Sequence, residues 1–147
     1  MSVLDNLGMD SGYEEIPHTA DWALRVWAGD LPTLFRAAAK GMNSLSGLVL
    51  AREGRVRRSI ELTAPDAESL LVAFLSELVY SAEQENLGFD DFDIHLELAE
   101  ANTYWLRAKI SGAPIESISK TIKAVTFHNL QIRGTERGLE VEIVFDV

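Results

Sequence analysis

The sequence predicts an α+β fold: a single domain with a mainly antiparallel sheet of about six strands and two α-helices packed on one face. Two segments repeat apolar residues at the spacing of an amphipathic helix, and several others alternate strictly between apolar and polar residues. Short turns join most of these segments, as is typical of antiparallel neighbours. The chain has 147 residues, a length that suits one domain.

The first elements follow a lead-in that is poor in apolar residues. Residues 1–12 contain several Gly and Ser residues, so we expect a flexible segment before a domain that covers residues 13–147. Alternation predicts a strand at Trp22–Trp27. Helical spacing then predicts a helix at Leu31–Ser46, with Asp30 accepting hydrogen bonds from its first amides.

The middle of the chain carries the clearest helix. Alternation predicts a strand at Val56–Leu62, and Asp66 then caps a helix with a broad apolar stripe that ends by Asn86–Gly88. The next two alternating segments, Phe92–Leu98 and Tyr104–Ile110, are separated by a short turn. We therefore expect them to pair as an antiparallel hairpin.

The last third is less regular until its final strand. Ser111–Ser119 contains Gly and Pro and reads as an irregular connection. Ala124–Ile132 is predicted to be a strand, with a bulge near His128–Asn129 or burial on both faces explaining its imperfect alternation. Leu139–Val147 alternates to the last residue and predicts the final strand.

Composition excludes several classes of function. Thirteen basic and twenty-three acidic residues give a net charge of −10, which disfavours unspecific nucleic-acid binding. The absence of cysteine excludes disulfides, thiolate metal sites and a cysteine nucleophile. We see no secretory signal and no apolar stretch that could span a membrane, so we expect a cytoplasmic protein with no membrane partner.

The acidic end of the last strand is the first candidate site. Asp146 lies beside the α-carboxylate of Val147, and two anionic groups so close together repel each other unless a cation lies between them. Ca²⁺ or Mg²⁺ would fill that role, because hard cations prefer oxygen ligands. The alternative is a solvated Asp at a frayed end.

A second candidate lies directly before the first strong strand. In the run from His18 to Asp21, Asp21 could ligate a cation or act as a base, and His18 could ligate the cation or hold Asp21 in place. The alternative is a turn, in which Pro17 fixes the chain and Asp21 accepts hydrogen bonds from neighbouring amides.

Other polar groups are better explained as structure. His95 is interpreted as a solvated strand residue and His128 as a strand residue bonded to neighbouring backbone. Asp90–Asp93 fails the EF-hand pattern and is interpreted as an acidic turn. The cluster Arg52–Arg58 could grip phosphate or an acidic partner, or form a solvated hairpin. No Walker A, GxGxxG, GxSxG or HExxH motif is present.

Three segments together resemble the archease family over nearly the whole chain from Tyr13 to Val147. They are Ile16–Asp21, then Leu70–Leu71 with Leu75 and Glu77–Leu78, then Lys123–Leu130 followed by Phe145–Val147. The resemblance implies a small α+β protein that activates RtcB-type, GTP-dependent RNA ligases in tRNA splicing and RNA repair. It implies no catalysis by the protein itself and only indirect contact with RNA.

The resemblance also implies a divalent cation, expected to be Ca²⁺ with Mg²⁺ or Mn²⁺ as alternatives. Its ligands carried over by motif are Asp21, Asp146 and the terminal Val147. These groups would converge if the first and last strands are neighbours. One alternative function is a chaperone that modulates the specificity of a tRNA cytosine methyltransferase. Another is a small metal-dependent hydrolase that uses Asp21 and His18.

Overall fold

The computed structural model describes residues 10–17 and 22–147. The helices of this part of the chain are α1 (Leu31–Ser46) and α2 (Ala67–Glu85), and a short 3₁₀ turn covers Glu100–Asn102. The strands are β1 (Gly12–Ile16), β2 (Trp22–Ala28), β3 (Val49–Leu50), β4 (Val56–Ala64), β5 (Leu87–Leu98), β6 (Tyr104–Ser117), β7 (Ala124–Val125), β8 (Arg133–Thr135) and β9 (Gly138–Asp146). The predicted α+β class with two helices and antiparallel strands is confirmed, but the described strands form two sheets and not the single sheet of about six strands that was expected.

The first sheet is built around β9. Its strand order is β1, β2, β9, β7, with β8 also pairing with β9, and each of these pairs is antiparallel. Val141 lies opposite Val26 and Ile143 opposite Leu24, and all four side chains are buried. The apolar alternation of the last strand therefore faces the core as the sequence indicates.

The second sheet is built around the long strand β6. β4 and β5 pair with β6, and β3 pairs with its C-terminal end. One cross-strand row is buried and consists of Ile60, Ala108 and Ile94. The neighbouring row is exposed on the opposite face and consists of Ser59, Lys109 and Asp93. One face of this sheet is thus apolar and the other polar and solvated.

Local signals at both ends define α1. The carboxylate of Asp30 accepts a hydrogen bond from the Thr33 amide at 2.9 Å, and Pro32 lies in the first turn. Gly47 ends the helix in the left-handed conformation, with φ 67°, which glycine adopts without steric cost. The predicted helix at Leu31–Ser46 is confirmed.

The second helix begins and ends in the same way. The Asp66 carboxylate accepts a hydrogen bond from the Ser69 amide at 2.7 Å, and this bond lowers the pKa of Asp66. Asn86 closes α2 with φ 54°. Neither α2 nor any other helix in residues 10–17 and 22–147 is long and apolar enough to cross a membrane.

The core joins both helices to both sheets. α1 packs against β2 of the first sheet and β5 of the second, whereas α2 packs against β4, β5 and β6 of the second sheet and β7 of the first. Phe74 of α2 lies between Phe35 and Phe92, with ring centroids 6.0 and 6.2 Å apart. All three rings are buried. Each such ring stabilises the fold by roughly 1.5–3 kcal/mol relative to an exposed one.

Two predicted segments differ in the structure. Ser111–Ser119, expected to be irregular, continues β6 as far as Ser117 because Leu87 pairs with Pro114 and Val49 with Ser117. The strand expected at Ala124–Ile132 is only two residues long and is followed by a turn. The first error concerns pairings between residues distant in the sequence, whereas the second concerns a turn in which Asn129 has a positive φ.

Candidate functional site

The C-terminal end of β9 lies between two neighbouring strands. Phe145 pairs with Trp22 at the start of β2 and with Val125 of β7, and Asp146 pairs with Ala124. Phe145 is fully buried, whereas Asp146 is exposed. An acidic side chain is therefore presented to solvent from the end of a strand that has partners on both sides.

Main-chain hydrogen bonds fix this end of the strand. The Lys123 amide donates to the carbonyl oxygen of Asp146 at 2.8 Å. The Thr126 amide and the Thr126 hydroxyl both donate to the carbonyl oxygen of Val144, at 3.0 and 2.9 Å. We call the group of Lys123–Leu130, Asp146 and Val147 the β9 end. Its backbone is held in place while the Asp146 carboxylate stays in water.

The turn after β7 presents an aromatic side chain to solvent. The His128 amide donates to the Thr126 hydroxyl at 3.2 Å, and the Leu130 amide donates to the Phe127 carbonyl at 3.1 Å. Asn129 adopts φ 51°, a left-handed conformation that a regular strand does not contain. Phe127 is 59% exposed on this bonded turn.

The predicted ligands are only partly covered by the structure. His18 and Asp21 lie outside the described residues. Asp146 is exposed, and no salt bridge to it occurs within residues 10–17 and 22–147. The side chain of Val147 packs against the core. The strand pairing brings the start of β2, at Trp22, against the neighbour of Asp146.

The donor chemistry at the β9 end suits a hard cation. An exposed carboxylate without an ion pair in the described part of the chain offers the oxygen ligands that Ca²⁺ and Mg²⁺ prefer. Within that same part, no group of three or more His, Asp or Glu side chains lies close enough together to hold a metal ion. A complete ligand set at the β9 end therefore needs donors in addition to Asp146.

Sequence reasoning missed two contributors to this region. Thr126 ties the turn to β9, and the ammonium of Lys120 lies 5.1 Å from the centre of the Trp22 ring, within cation–π range. The tie to Val144 depends on a partner eighteen residues away and has no local signature. Asn129 was a usable signal, since Asn often adopts positive φ and interrupts a strand.

Two of the four arginines in the cluster Arg52–Arg58 are paired with carboxylates. Arg55 bonds both carboxylate oxygens of Asp90, at 3.0 and 2.8 Å, and this contact lowers the pKa of Asp90. Arg58 pairs with Glu85 of α2, which lowers the pKa of that carboxyl. The two arginines thus fasten β4 to neighbouring elements.

The remaining histidines and acidic residues lie at the surface. His95 is exposed on β5, with its Nε2 3.3 Å from the Glu97 carboxylate and its ring 6.0 Å from that of Trp105. His128 is also exposed, but it lies in the turn rather than in the strand expected for it. Asp90–Asp93, expected to be an acidic turn, belongs instead to strand β5, where Asp91 and Asp93 are exposed.

Comparisons with known proteins cover almost the whole chain. The model of the Archease protein family (MTH1598/TM1083) matches residues 13–147. A protein archease of Methanosarcina acetivorans is 33% identical over 142 residues, covering 92% of this chain and 95% of the relative. A protein archease of Thermococcus gammatolerans is 33% identical over 130 residues, covering 86% and 91%.

A solved structure is similar in fold. The solution structure of protein 1598 of Methanobacterium thermoautotrophicum superposes with a TM-score of 0.73 at 26% identity. The match covers 92% of this chain and 99% of the other. The sequence relatives and the fold therefore indicate the same family.

Proposed function

The chain belongs to the archease family, and on this premise we propose that it is a non-catalytic activator of an RtcB-type, GTP-dependent RNA ligase. In this proposal it promotes guanylylation of the ligase and repeated turnover during tRNA splicing or RNA repair. The partner is the ligase, and RNA is contacted only through it. Family membership supports the reaction class, and the β9 end supplies the chemistry considered next.

The location proposed for the site rests on one observation: Trp22 of β2 lies opposite Phe145 of β9 in the sheet. Asp21 directly precedes Trp22 in the sequence, and Asp146 directly follows Phe145. The pairing of the two neighbours supports a shared cation site formed by Asp21 and Asp146. In a chain that ends at Val147, the α-carboxylate of that residue is the third proposed oxygen ligand.

The chemistry follows from charge. A bound divalent cation, which we propose to be Ca²⁺ with Mg²⁺ or Mn²⁺ as alternatives, neutralises charge on phosphate oxygens during nucleotidyl transfer. Asp146 would hold it from a backbone that Lys123 and Thr126 keep in place. This arrangement would orient the Asp146 carboxylate towards the cation. The proposed activation would then require no nucleophile and no general base from this protein.

The decisive experiment is guanylylation of the cognate ligase with labelled GTP, with and without this protein. We expect the wild type to stimulate the reaction and Asp21→Ala and Asp146→Ala each to lower the stimulation by roughly a hundredfold, since even an outer-sphere partner of a metal site is worth 10–100-fold. The matched control is Asp93→Ala, which removes an exposed strand carboxylate of β5. Equal thermal midpoints would show that all four proteins are folded.

The outcomes separate the parts of the proposal. No stimulation of the cognate ligase by the wild type would reject the activator function. Stimulation that survives both substitutions would keep the function and reject the acidic site. A C-terminal extension beyond Val147 tests the third ligand, because it turns the α-carboxylate into an amide. Unchanged Ca²⁺ affinity by calorimetry, compared with an N-terminally extended chain, would remove Val147 from the ligand set.

A further inference from the structure

A cavity of about 410 Å³ lies between the C-terminal ends of the two helices, the start of β5 and the end of β6. Its volume is within the range of roughly 300–1,000 Å³ that small-molecule sites occupy. The floor and walls are mainly apolar and include Met42, Leu48, Leu78, Phe89, Ile118 and Ile122. None of these residues belongs to the β9 end.

Two carboxylates stand in the lining. Glu83 comes from α2 and Glu116 from the end of β6, and both are exposed. No Lys, Arg or His is among the described residues that line the cavity. Glu83 accepts a hydrogen bond from the neutral amide of Gln84 at 3.1 Å, and neither carboxylate forms a salt bridge within the described ranges. The lining is therefore apolar and negatively charged.

Both helices add to this negative potential. Asn43 and Ser46 from the last turn of α1 line the cavity, as does Asn86, the C-cap of α2. Neither helix has a basic residue in its last turn. A helix C-terminus carries about half a negative elementary charge and favours a cation nearby. Backbone amides cap the last carbonyls of α1, and Arg58 pairs with Glu85 in the last turn of α2, so the two carboxylates supply the main negative charge of the apolar cavity and the helix ends add a smaller part.

We propose that this cavity binds an aliphatic ammonium ion with an apolar stem. The stem lies on the apolar floor, and the ammonium lies towards Glu83, Glu116 and the helix ends. A neutral apolar ligand would leave the charges unused, and an anion would be repelled by both carboxylates. Charge complementarity thus selects this occupant over others of similar size.

The same chemistry is offered by a free alkylamine and by a lysine side chain of a partner protein. Two probes distinguish these sources: n-hexylammonium, and Nα-acetyl-lysine amide, which carries the stem on a peptide backbone. Binding of hexylammonium alone assigns the cavity to a free amine. Binding of both probes assigns it to a protein side chain.

Methyl-labelled NMR of the full chain provides the test. We expect hexylammonium to shift the methyl signals of Ile118, Ile122 and Leu48 and to bind about twofold to fivefold more tightly than neutral n-hexanol, the gain expected for exposed ion pairs. The double substitution Glu83→Gln/Glu116→Gln should abolish that preference. The control Glu100→Gln/Glu136→Gln removes the same charge from two exposed residues elsewhere and should retain it.

Two results would overturn the proposal. Equal affinity for hexylammonium and hexanol would show a merely apolar cavity. Shifts that appear outside the cavity, or that persist in Ala82→Leu, which fills the space from α2, would place the binding elsewhere. The thermal midpoint of each variant shows whether it is folded. None of these measurements involves the ligase, so the inference stands or fails independently of the proposed function.

Discussion

The arginine cluster and the β9 end are two regions that the sequence singles out for their charged groups, and these groups have different partners in the structure. In the cluster, Arg55 and Arg58 are matched by carboxylates from other elements. At the β9 end, main-chain groups and the Thr126 hydroxyl form the hydrogen bonds, and the Asp146 carboxylate has no salt-bridge partner in the described residues. Two charges of the first region hold neighbouring elements together, whereas the Asp146 charge of the second region is available to a ligand.

The difference shows that charge density alone is a poor guide to function. Exposed ion pairs contribute little free energy, but they do occupy the groups that a phosphate would need. A fixed backbone that carries an unpaired side chain has the opposite property, since the group is oriented and still free to bind. The predictions below test this contrast, beginning with the largest expected effect.

Phe127→Ala should weaken binding to the ligase most. Phe127 is 59% exposed on a hydrogen-bonded turn of the β9 end, and large aromatic anchors at interfaces are often worth tenfold or more in affinity. We expect roughly a tenfold rise in the dissociation constant by calorimetry. Tyr80→Ala is the matched control, because Tyr80 is 60% exposed on α2. Equal effects of the two substitutions would contradict a contact at the β9 end.

Thr126→Val should loosen the β9 end. The substitution keeps the shape of the side chain and removes the hydroxyl that donates to the Val144 carbonyl. We expect a loss of about 1 kcal/mol in the free energy of unfolding, measured by urea denaturation. Thr126→Ser keeps the hydroxyl and should stay close to the wild type. If Ser and Val cost the same, the hydroxyl bond is not what holds the turn.

Arg55→Ala should lower stability only slightly and leave ligase stimulation unchanged. Arg55 holds Asp90 by two hydrogen bonds at the surface, where solvent weakens the pairing. The thermal midpoint should fall less than for Thr126→Val. Arg57→Ala is the control, since Arg57 is exposed and forms no salt bridge in the described part of the chain. Loss of ligase stimulation in Arg55→Ala would return the cluster to the list of functional surfaces.

The smallest expected effect is on the pH dependence of stability. The contribution of the Arg55–Asp90 pair to the free energy of unfolding should change at acid pH. The pKa of Asp90 is lowered mainly by its hydrogen bond from Arg55, so the folded state binds this proton less readily than the unfolded state. The stabilisation is present above the ordinary Asp pKa of about 4 and is lost as pH falls through the lower folded pKa. The stability difference between wild type and Arg55→Ala should therefore shrink on acidification. A constant difference down to pH 2 would argue against the pair.

The helices could be predicted from sequence because their signals are local. Asp30 and Asp66 cap them within three residues, and Gly47 and Asn86 end them by their own conformations. The extension of β6 to Ser117 could not be predicted, since its pairing with Val49 joins residues far apart in the sequence.

The acidic residues of the candidate site could be predicted from sequence because they, too, are local features. The sequence shows Asp146 at the end of an apolar strand and Asp21 directly before another strand, and the resemblance assigns the two to one cation site. The surroundings of the Asp146 carboxylate could not be predicted from the sequence. The bonds from Lys123 and Thr126 to β9 and the exposure of Phe127 arise only when β7 pairs with β9.

Two hydrogen bonds from α1 side chains to β5 affect how the protein behaves in concentrated solution. Side chains of this helix donate to β5 carbonyls: Arg36 to that of Phe92 at 3.0 Å and Asn43 to that of Phe89 at 2.7 Å. β5 is an outer strand of its sheet, paired within the described residues with β6 alone. Outer strands invite another chain to add a strand and so begin aggregation. A strand of another chain that pairs here would first have to displace these two side chains. The helix α1 therefore protects the edge of the sheet from edge-to-edge aggregation, in addition to forming part of the core.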